Sequence, residues 1–381
     1  MKLVFSGSRA LLPLVLLAVL TVPTASAFSF KQGTFGSILK RRTRFGRSAM
    51  QAETQAFTEE PVPHPSVAVI GCGYVGSAVG RALRGLGVKV EGTTTREEGV
   101  KQLEESGAVD AVVKIPRNIG EGDQAGGEGD VALEDMIKRN SCVFIAVAPG
   151  RGGGENAYRD TYAATSKRVA AALAKKKDAT QILYISSSSV YGNPPDGRVV
   201  TEETYSEAGD ALSDNQKILR QAEETLLAVP SPHKVAVLRL AGLWGPGRPL
   251  GMLARRVAGT EVPGTGETFV NFSHLDDITG FALHAMRKGL CGAFNVCSVP
   301  SIRKDLYDAV CEAEGLPPVR WSGNSAGGEY TGRGGSKQLS NQKAVGTGYA
   351  IRVPDTIARV REDAERDKAR AAPVTTEAAA L

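Results

Sequence analysis

Three glycines of this sequence have the spacing of a phosphate-binding turn: Gly71, Gly73 and Gly76 form a GxGxxG pattern. In such a pattern the first glycine permits a tight turn, the second lets a pyrophosphate approach the backbone, and the third allows a helix to pack closely on a strand. Unpaired N–H groups at the start of the following helix favour the same anion. We therefore predict a dinucleotide site that includes Tyr74 and Val75. The alternative is a glycine-rich turn without a ligand.

The end of the next predicted strand distinguishes the two nicotinamide cofactors. NAD sites offer a carboxylate to the ribose hydroxyls, whereas NADP sites offer an arginine to the 2′-phosphate. The position expected for the acid holds Thr94, and Arg96 follows two residues later. Glu91 is the competing candidate, but it lies within the predicted strand. The pattern favours NADP, contacted by Thr94 and Arg96, with NAD as the alternative.

Strands that alternate with helices would position this site. Short apolar runs predict strands, and the helical stretches between them predict crossover connections. The predicted strands are residues 67–70, 88–93, 109–115, 142–148 and 181–186. This order predicts an α/β fold, a doubly wound parallel sheet (Rossmann fold) with a smaller C-terminal part. Ligands of such sheets bind beyond the carboxyl ends of the strands, so Ala146, Ala148 and Pro149 are further cofactor candidates.

Several later segments carry recognisable motifs. They read YISSSSVYG at residues 184–192, LRLAGLWGPGR at 238–248, FSHLDD at 272–277 and FNV at 294–296. In this order they resemble the SSxxVYG, LRxxxxYGPGR, IHVDD and YNV segments of the extended short-chain dehydrogenases/reductases, the group of nucleotide-sugar epimerases and dehydratases. The Ser340-Asn341 pair resembles one atypical branch of that family. The matches run across residues 67–360, and the resemblance implies the same fold that the strand pattern predicts.

In that family a serine, a tyrosine and a lysine act together, with the phenol as the general acid/base. Carried over by position, the resemblance gives Ser187 and Lys217 as catalytic residues, a surface charge being the alternative for Lys217. The tyrosine position of the YxxxK pattern holds Ser213, which agrees with the atypical branch and puts standard hydride transfer in question. Two other tyrosines could replace the missing phenol. Tyr191 is the third catalytic candidate, and Tyr205 is the second possible substitute. For both, packing or substrate contact is the alternative.

A small polar substrate, such as a nucleotide sugar, is the ligand class that the resemblance implies. Ser189, Arg239 and Arg248 are the substrate-binding candidates, because a guanidinium can hold an anionic group through two hydrogen bonds. A structural ion pair is the alternative for either arginine. His274 is interpreted as a capping residue where the C-terminal part meets the cofactor domain, and a general base beside Asp276 and Asp277 is the alternative. Two functions stay open: an NAD(P)-dependent oxidoreductase or epimerase, and an NADP(H)-binding sensor or scaffold without catalysis.

The charge distribution gives no support for nucleic-acid binding. The chain has 46 basic and 41 acidic side chains, and residues 1–52 hold eight of the basic ones and none of the acidic ones. Residues 53–381 therefore hold 38 basic and 41 acidic side chains and are slightly acidic. Five cysteines without CxxC spacing and four scattered histidines predict neither a disulfide framework nor a metal site.

The basic segment is predicted to be a targeting leader. Residues 1–27 have a charged start, an apolar run too short to span a bilayer, and a small-x-small cleavage pattern, which is typical of a signal peptide. Residues 28–60 form a transit segment and linker. The junction Ala25-Ser26-Ala27-Phe28 resembles bipartite presequences of algae with secondary, red-type plastids, which implies the chloroplast stroma. The alternative is a secreted or luminal protein, and no membrane attachment is expected after processing.

The mature chain is predicted to divide into three parts. Residues 61–248 form the NAD(P)-binding core, residues 249–363 a C-terminal substrate-binding part that completes the fold, and residues 364–381 a solvated tail. The family resemblance also implies a homodimer, formed through the helices at residues 156–175 and 214–228.

Overall fold

The predicted strands pair into one parallel sheet in the computed structural model of the chain, which describes residues 60–115, 128–150, 154–205, 212–323 and 334–371. The strands are β1 (Ser66–Ile70), β2 (Lys89–Thr94), β3 (Ala111–Lys114), β4 (Cys142–Ile145), β5 (Gln181–Ser187), β6 (Val199–Val200), β7 (Lys234–Leu240), β8 (Gly242–Trp244), β9 (Glu261–Val262), β10 (Phe269–Val270), β11 (Phe272–His274), β12 (Gly292–Val296), β13 (Ser301–Ile302), β14 (Arg320–Trp321) and β15 (Gln338–Leu339). Seven of them form the main sheet in the order β3-β2-β1-β4-β5-β7-β12, and every neighbouring pair is parallel. The predicted doubly wound α/β fold is confirmed.

Helices cover both faces of this sheet. They are α1 (Tyr74–Gly85), α2 (Glu97–Glu105), α3 (Glu128–Arg139), α4 (Glu155–Tyr158), α5 (Ala164–Ala174), α6 (Asp214–Leu227), α7 (Gly251–Ala254), α8 (Leu275–Lys288), α9 (Arg303–Glu314), α10 (Gln342–Gly346) and α11 (Thr356–Ala371). A π-helical turn, Arg159–Ala163, joins α4 to α5, so the helix predicted over residues 156–175 is interrupted. A 3₁₀ turn, Ser188–Tyr191, follows β5.

The core has one layer on each face of the sheet. On one face α1 and α8 pack through fully buried side chains such as Leu83 and Phe281. On the other face α3, α5 and α6 pack through Met136, Leu173 and Leu226, which are fully buried as well. Burying each such side chain contributes about 1.5–3 kcal/mol, so the two layers fix the strand ends that bear the site.

Residues beyond position 248 complete the sheet and add a separate small core. Strand β12 pairs with β7, and α8 covers it, although both come from the predicted C-terminal part. A further apolar cluster, which includes Trp244, Tyr307 and Val353, holds α9 and α11 together. Helix α11 runs to Ala371, so the first residues of the predicted solvated tail are helical, with mostly exposed side chains. The predicted leader, up to residue 59, lies outside the described residues.

The C-terminal part is joined to the cofactor domain at the start of α8. His274 caps this helix, because its Nδ1 accepts the backbone N–H of Asp276 at 3.2 Å. The carboxylate of Asp277 accepts the backbone N–H groups of Arg352 and Val353 at 2.7 and 3.1 Å. These contacts agree with the capping interpretation of His274.

A buried lysine makes a second connection between the two parts. The Lys337 ammonium donates to the carbonyl oxygens of Gly192 and Gly334 at 2.7 and 2.9 Å, and only 2% of the residue is exposed. Burial lowers the pKa of Lys337 from 10.5 to about 8. Nothing in the sequence around this residue indicated a buried charge.

Lys337 is expected to make the protein more stable as the pH rises from about 8 to about 10.5. In that interval the unfolded chain still binds the proton and the folded chain does not, so raising the pH favours the folded state. The wild type should therefore gain up to about 3 kcal/mol relative to Lys337→Met between about pH 7 and pH 10. Urea unfolding of both proteins measures this difference. A difference in unfolding free energy that does not change with pH would contradict the expectation.

Candidate functional site

A cavity of about 670 Å³ opens beyond the carboxyl ends of β1 and β4, where the strand order of the sheet reverses. Its wall is formed by the turn after β1, by the residues after β2, β4, β5 and β7, and by the segment that contains the π-helical turn. Doubly wound sheets bind their ligands at such a reversal point. The topology alone therefore favours this cavity as the functional site.

The glycine turn after β1 is held in a conformation that other residues rarely adopt. Gly71 has φ 92°, and a Cβ there would lie 2.8 Å from the carbonyl oxygen of Ala146. The Gly71 N–H donates to Thr93 Oγ1 at 2.9 Å, and Ser77 Oγ donates to the carbonyl of Cys72 at 2.9 Å. Burial raises the pKa of the Cys72 thiol to about 12, although a backbone hydrogen bond with Thr93 partly lowers it. The turn is thus rigid and carries no negative charge that would repel a phosphate.

Gly73 and Gly76 meet the other two requirements of a dinucleotide turn. A Cβ on Gly76 would overlap the carbonyl oxygen of Gly71, which shows how closely α1 approaches the turn. A Cβ on Gly73 would meet no atom within 4 Å and would enter the open cavity. No side chain caps the start of α1, and a helix start of this kind favours an anion. This cradle fits the pyrophosphate of a dinucleotide, which Gly71, Gly73 and the first turn of α1 would hold.

The residues after β2 fit a phosphorylated ribose better than an unmodified one. Thr94 and the exposed Arg96 line the cavity, and Arg96 lies at the start of α2. The competing Glu91 does not line it. Its carboxylate accepts hydrogen bonds from Arg139 Nε and Asn140 Nδ2, both at 2.8 Å. Glu91 is therefore engaged in holding the end of α3.

Most of the other predicted cofactor residues also reach the cavity. Tyr74 and Val75 of α1 line it, as do Ala146 and Ala148 after β4. Pro149 does not, and Gly150 lines the wall at this place. Strand β4 ends at Ile145, earlier than predicted, so all of these residues belong to the loop that follows it.

Two serines at the end of β5 lie at the cavity wall. Ser187 and Ser186 line it, whereas the predicted substrate residue Ser189 does not. Ser189 instead donates its backbone N–H and its hydroxyl to Ser187 Oγ, at 3.2 and 2.9 Å. Ser189 thereby holds the Ser187 hydroxyl in place, and it lies within the 3₁₀ turn.

The two predicted substrate arginines have different positions. Arg248 lines the cavity, with its guanidinium carbon 5.9 Å from the centre of the Tyr74 ring. Arg239 is buried away from it and pairs with Glu223 at 2.7 Å, both side chains being at most 3% exposed. Glu223 also accepts the hydroxyl of Ser186. The structural ion pair therefore replaces the predicted substrate role of Arg239.

The predicted catalytic role of Tyr191 is not supported by its position. Its hydroxyl donates to Asn295 Oδ1 at 2.7 Å and accepts from Arg239 at 2.9 Å. Burial raises the pKa of Tyr191 to about 12, although Arg239 opposes this effect. The second substitute, Tyr205, packs between the guanidinium groups of Arg220 and Arg239. Both phenols belong to one packed polar cluster outside the cavity wall.

Lys217 also lies away from the cavity. Its side chain is 55% exposed, and its ammonium lies 3.8 Å from Asp214. The helix begins at Asp214, which puts Lys217 in the first turn on the solvent side. Ser213, at the family's tyrosine position, is the N-cap residue, and its backbone N–H donates to Gln216 at 2.9 Å. Neither Ser213 nor Lys217 is among the residues that line the cavity.

Sequence reasoning missed the part of the wall that comes from the π-helical turn and α5. Asp160, Thr161, Tyr162, Thr165 and Arg168 all line the cavity. Their spacing does not follow one face of a regular helix, because the π turn brings three consecutive residues to the wall. A single predicted helix over residues 156–175 gave no signal for this.

Neither a metal site nor a membrane span occurs among the described residues. No group of three His, Cys, Asp or Glu side chains within the described ranges is arranged to hold a metal ion. No helix in those ranges is long and apolar enough to cross a membrane.

The fixed glycine turn at the reversal point of a doubly wound sheet defines a dinucleotide-binding protein of the Rossmann class. The family profile for the NAD dependent epimerase/dehydratase family matches residues 67–297. The chain belongs to this family.

Comparisons with known proteins agree with that membership. Protein YeeZ of Escherichia coli K12 is 28% identical over 296 residues, which cover 76% of this chain and 97% of YeeZ. The human epimerase family protein SDR39U1 (isoform 2), solved with NADPH, has a TM-score of 0.57 and 17% identity, covering 79% of this chain and 99% of that one. The UDP-glucose 4-epimerase of Thermus thermophilus, solved with NAD, has a TM-score of 0.58 and 17% identity, covering 80% of this chain and 99% of that one. At these identities the structural likenesses concern the fold.

Proposed function

We propose that the chain is an NADP(H)-dependent oxidoreductase or epimerase of a small polar substrate. The observation that carries the proposal is one cavity lined by the glycine turn, by Arg96, by Ser187 and by Arg248. The first two fit the pyrophosphate and the 2′-phosphate of NADPH, and Glu91, which would favour NAD, is engaged elsewhere. The nicotinamide half would then lie toward Ser187, where a hydroxyl can orient a substrate oxygen.

A nucleotide sugar is the substrate class that we propose. Arg248 is a cation at the cavity wall that can bind a diphosphate through two hydrogen bonds. The UDP-glucose 4-epimerase of Thermus thermophilus shares the fold and acts, by its name, on such a compound. This support concerns the class of substrate.

A non-catalytic NADP(H) sensor is the second candidate function. The specific observation in its favour is that position 213 holds a helix-capping serine and that Lys217 faces solvent. A sensor would bind NADPH without turning over any carbonyl compound. It would also bind a partner with an affinity that follows the NADPH/NADP ratio.

The location and the assembly state are proposals that rest on the sequence. The leader composition and the junction at residues 25–28 support delivery to a plastid stroma. The dimer helices inferred from the family resemblance correspond to α5 with the π turn and to α6. These segments pack on each other within the chain.

Arg96→Ala is expected to weaken NADPH binding about 10- to 100-fold and to change NADH binding by less than about threefold. The lost interaction is the ion pair with the 2′-phosphate, which NADH lacks. Calorimetric titration of both cofactors measures the two affinities. Arg84→Ala is the matched control, because Arg84 pairs with Asp110 at 2.8 Å and does not line the cavity. An Arg96→Ala protein that still prefers NADPH would refute the cofactor assignment.

A further inference from the structure

The proposed function leaves one chemical requirement unmet. Reduction of a carbonyl needs a proton donor beside the nicotinamide, and the family's tyrosine is replaced here by Ser213. The two substitutes from the sequence, Tyr191 and Tyr205, are held outside the cavity by Arg239 and its neighbours. A different phenol is therefore needed, and the π-helical turn supplies one.

Tyr162 projects from that turn into the cavity wall. It packs against the buried cluster that contains Tyr184 of β5 and also against the cluster that contains Val190. Both clusters hold side chains of β5 or of the 3₁₀ turn that follows it, and Ser186 and Ser187, which also line the cavity, lie between these side chains along the chain.

The hydroxyl of Tyr162 is available for chemistry. It forms no hydrogen bond with any residue that the structure describes, whereas Tyr191 donates one and accepts one. The Tyr162 side chain is only half-buried, and its exposed part faces the cavity. The neighbouring Tyr158 supports the ring from the side, with the two ring centres 5.3 Å apart, but does not line the cavity.

The local backbone explains why this phenol points inward. The π turn covers Arg159–Ala163 and places Asp160, Thr161 and Tyr162 together on the wall. Single π turns inside helices occur often at functional sites, because the extra residue redirects side chains that a regular helix would spread around its axis.

We propose that Tyr162 is the proton donor of this site, in place of the tyrosine that the family pattern puts at position 213. The inference rests on the proposed function. When bound, a reduced nicotinamide would supply the hydride for a C–H bond at the substrate's carbonyl carbon and would itself be oxidised. The π-electron pair of the carbonyl moves to its oxygen, which takes the proton as the O–H bond of Tyr162 breaks. Ser187 orients that oxygen, and the Tyr162 phenolate recovers a proton from solvent.

The environment of Tyr162 favours a donor over an acceptor of protons. Burial and the neighbouring Tyr158 raise the pKa of Tyr162 to about 12. The phenol is therefore protonated throughout the neutral range. A protonated phenol is the form that reduction of a carbonyl requires, whereas oxidation of an alcohol would require the tyrosinate.

The first test needs no turnover and uses tyrosine labelled with carbon-13 at Cζ. The chain has nine tyrosines, and the variants Tyr162→Phe and Tyr158→Phe identify the two resonances of interest. On titration with NADPH we expect the Tyr162 resonance to shift and the Tyr158 resonance to move less. A Tyr162 resonance that is unchanged while calorimetry shows saturated NADPH binding would overturn the proposal and leave the cofactor site intact. Absence of NADPH binding would overturn the proposed function as well.

The second test measures catalysis with stated probes: benzil, isatin and a UDP-linked keto sugar. We expect Tyr162→Phe to lower kcat for the reduced probe about 100-fold with unchanged NADPH affinity. Tyr205→Phe, which removes a hydroxyl outside the cavity wall, should keep the wild-type rate. A Tyr162→Phe protein that retains the rate would overturn the proton-donor role, while NADPH-dependent reduction by the wild type would still stand. Reduction of no probe by an NADPH-saturated wild type would count against both and favour the sensor.

Discussion

Replacing Gly73 by alanine is expected to weaken NADPH binding about 10- to 100-fold while changing the free energy of unfolding by no more than about 1 kcal/mol. A Cβ at this position meets no protein atom within 4 Å, so the folded chain accommodates it. The same carbon enters the space where the pyrophosphate must approach the backbone. Overlap between the new methyl group and the pyrophosphate should cost about 1–3 kcal/mol, and this cost reduces the free energy of NADPH binding. Calorimetry and urea unfolding measure the two quantities separately.

Alanine substitutions at two other glycines provide the comparison for Gly73→Ala. Gly76→Ala should lose stability as well as binding, because its Cβ would overlap the carbonyl oxygen of Gly71 and force α1 away from the turn. Gly346→Ala, in α10, should change neither, because its Cβ also meets no atom within 4 Å and Gly346 does not line the cavity. If Gly73→Ala binds NADPH as tightly as Gly346→Ala does, no pyrophosphate lies at the glycine turn.

Glu223→Gln is expected to destabilise the protein by about 3–5 kcal/mol. The carboxylate is fully buried and is the ion-pair partner of Arg239, which is itself 3% exposed. Removing its charge leaves a buried guanidinium without a counter-ion. It also weakens the hydrogen bond from Ser186, which holds the end of β5 at the cavity. Urea unfolding gives the free energy, and NADPH titration reports on the cavity.

An exposed pair in the same chain provides the comparison. Lys304 and Asp308 lie 2.8 Å apart at the protein surface, so Asp308→Asn should cost no more than about 1 kcal/mol. A double variant, Glu223→Leu with Arg239→Leu, should recover part of the loss, since a buried pair can be replaced by apolar groups at little cost. A Glu223→Gln protein as stable as Asp308→Asn would contradict the assignment of a buried pair that supports the cavity wall.

The sequence predicted well what depends on neighbours along the chain. The glycine turn is such a case, since its geometry follows from the residue types at Gly71, Gly73 and Gly76 and from the strand before them. The five predicted strands are all in the sheet, because an apolar run of that length must be buried. Their ends were less accurate, since β4 ends at Ile145 and not at the predicted residue 148.

The sequence could not predict what depends on distant partners. The role of Arg239 is decided by Glu223 and Tyr191, which the fold brings to it from other elements. In the same way, the direction of Lys217 depends on where α6 begins, and a family motif does not fix that boundary. Side chains that a motif suggests for catalysis can therefore serve as structural supports once the actual partners are known.

The position of Tyr162 at the cavity wall could not be predicted from the sequence for a third reason. Helical periodicity predicts one uninterrupted helix over residues 156–175, and in such a helix three consecutive residues point to different sides. The π turn at Arg159–Ala163 breaks this relation. Its occurrence depends on packing against α6 and the strand ends, which no single-sequence pattern contains.

A crystal structure of the protein grown with NADPH tests the central claim most directly. We expect the pyrophosphate against the first turn of α1 beside Gly73, with the 2′-phosphate within about 3 Å of the Arg96 guanidinium. The nicotinamide should lie between Ser187 and Tyr162. A nucleotide bound elsewhere, or one in this cavity with its 2′-phosphate turned away from Arg96, would contradict the assignment of this cavity as an NADP(H) site.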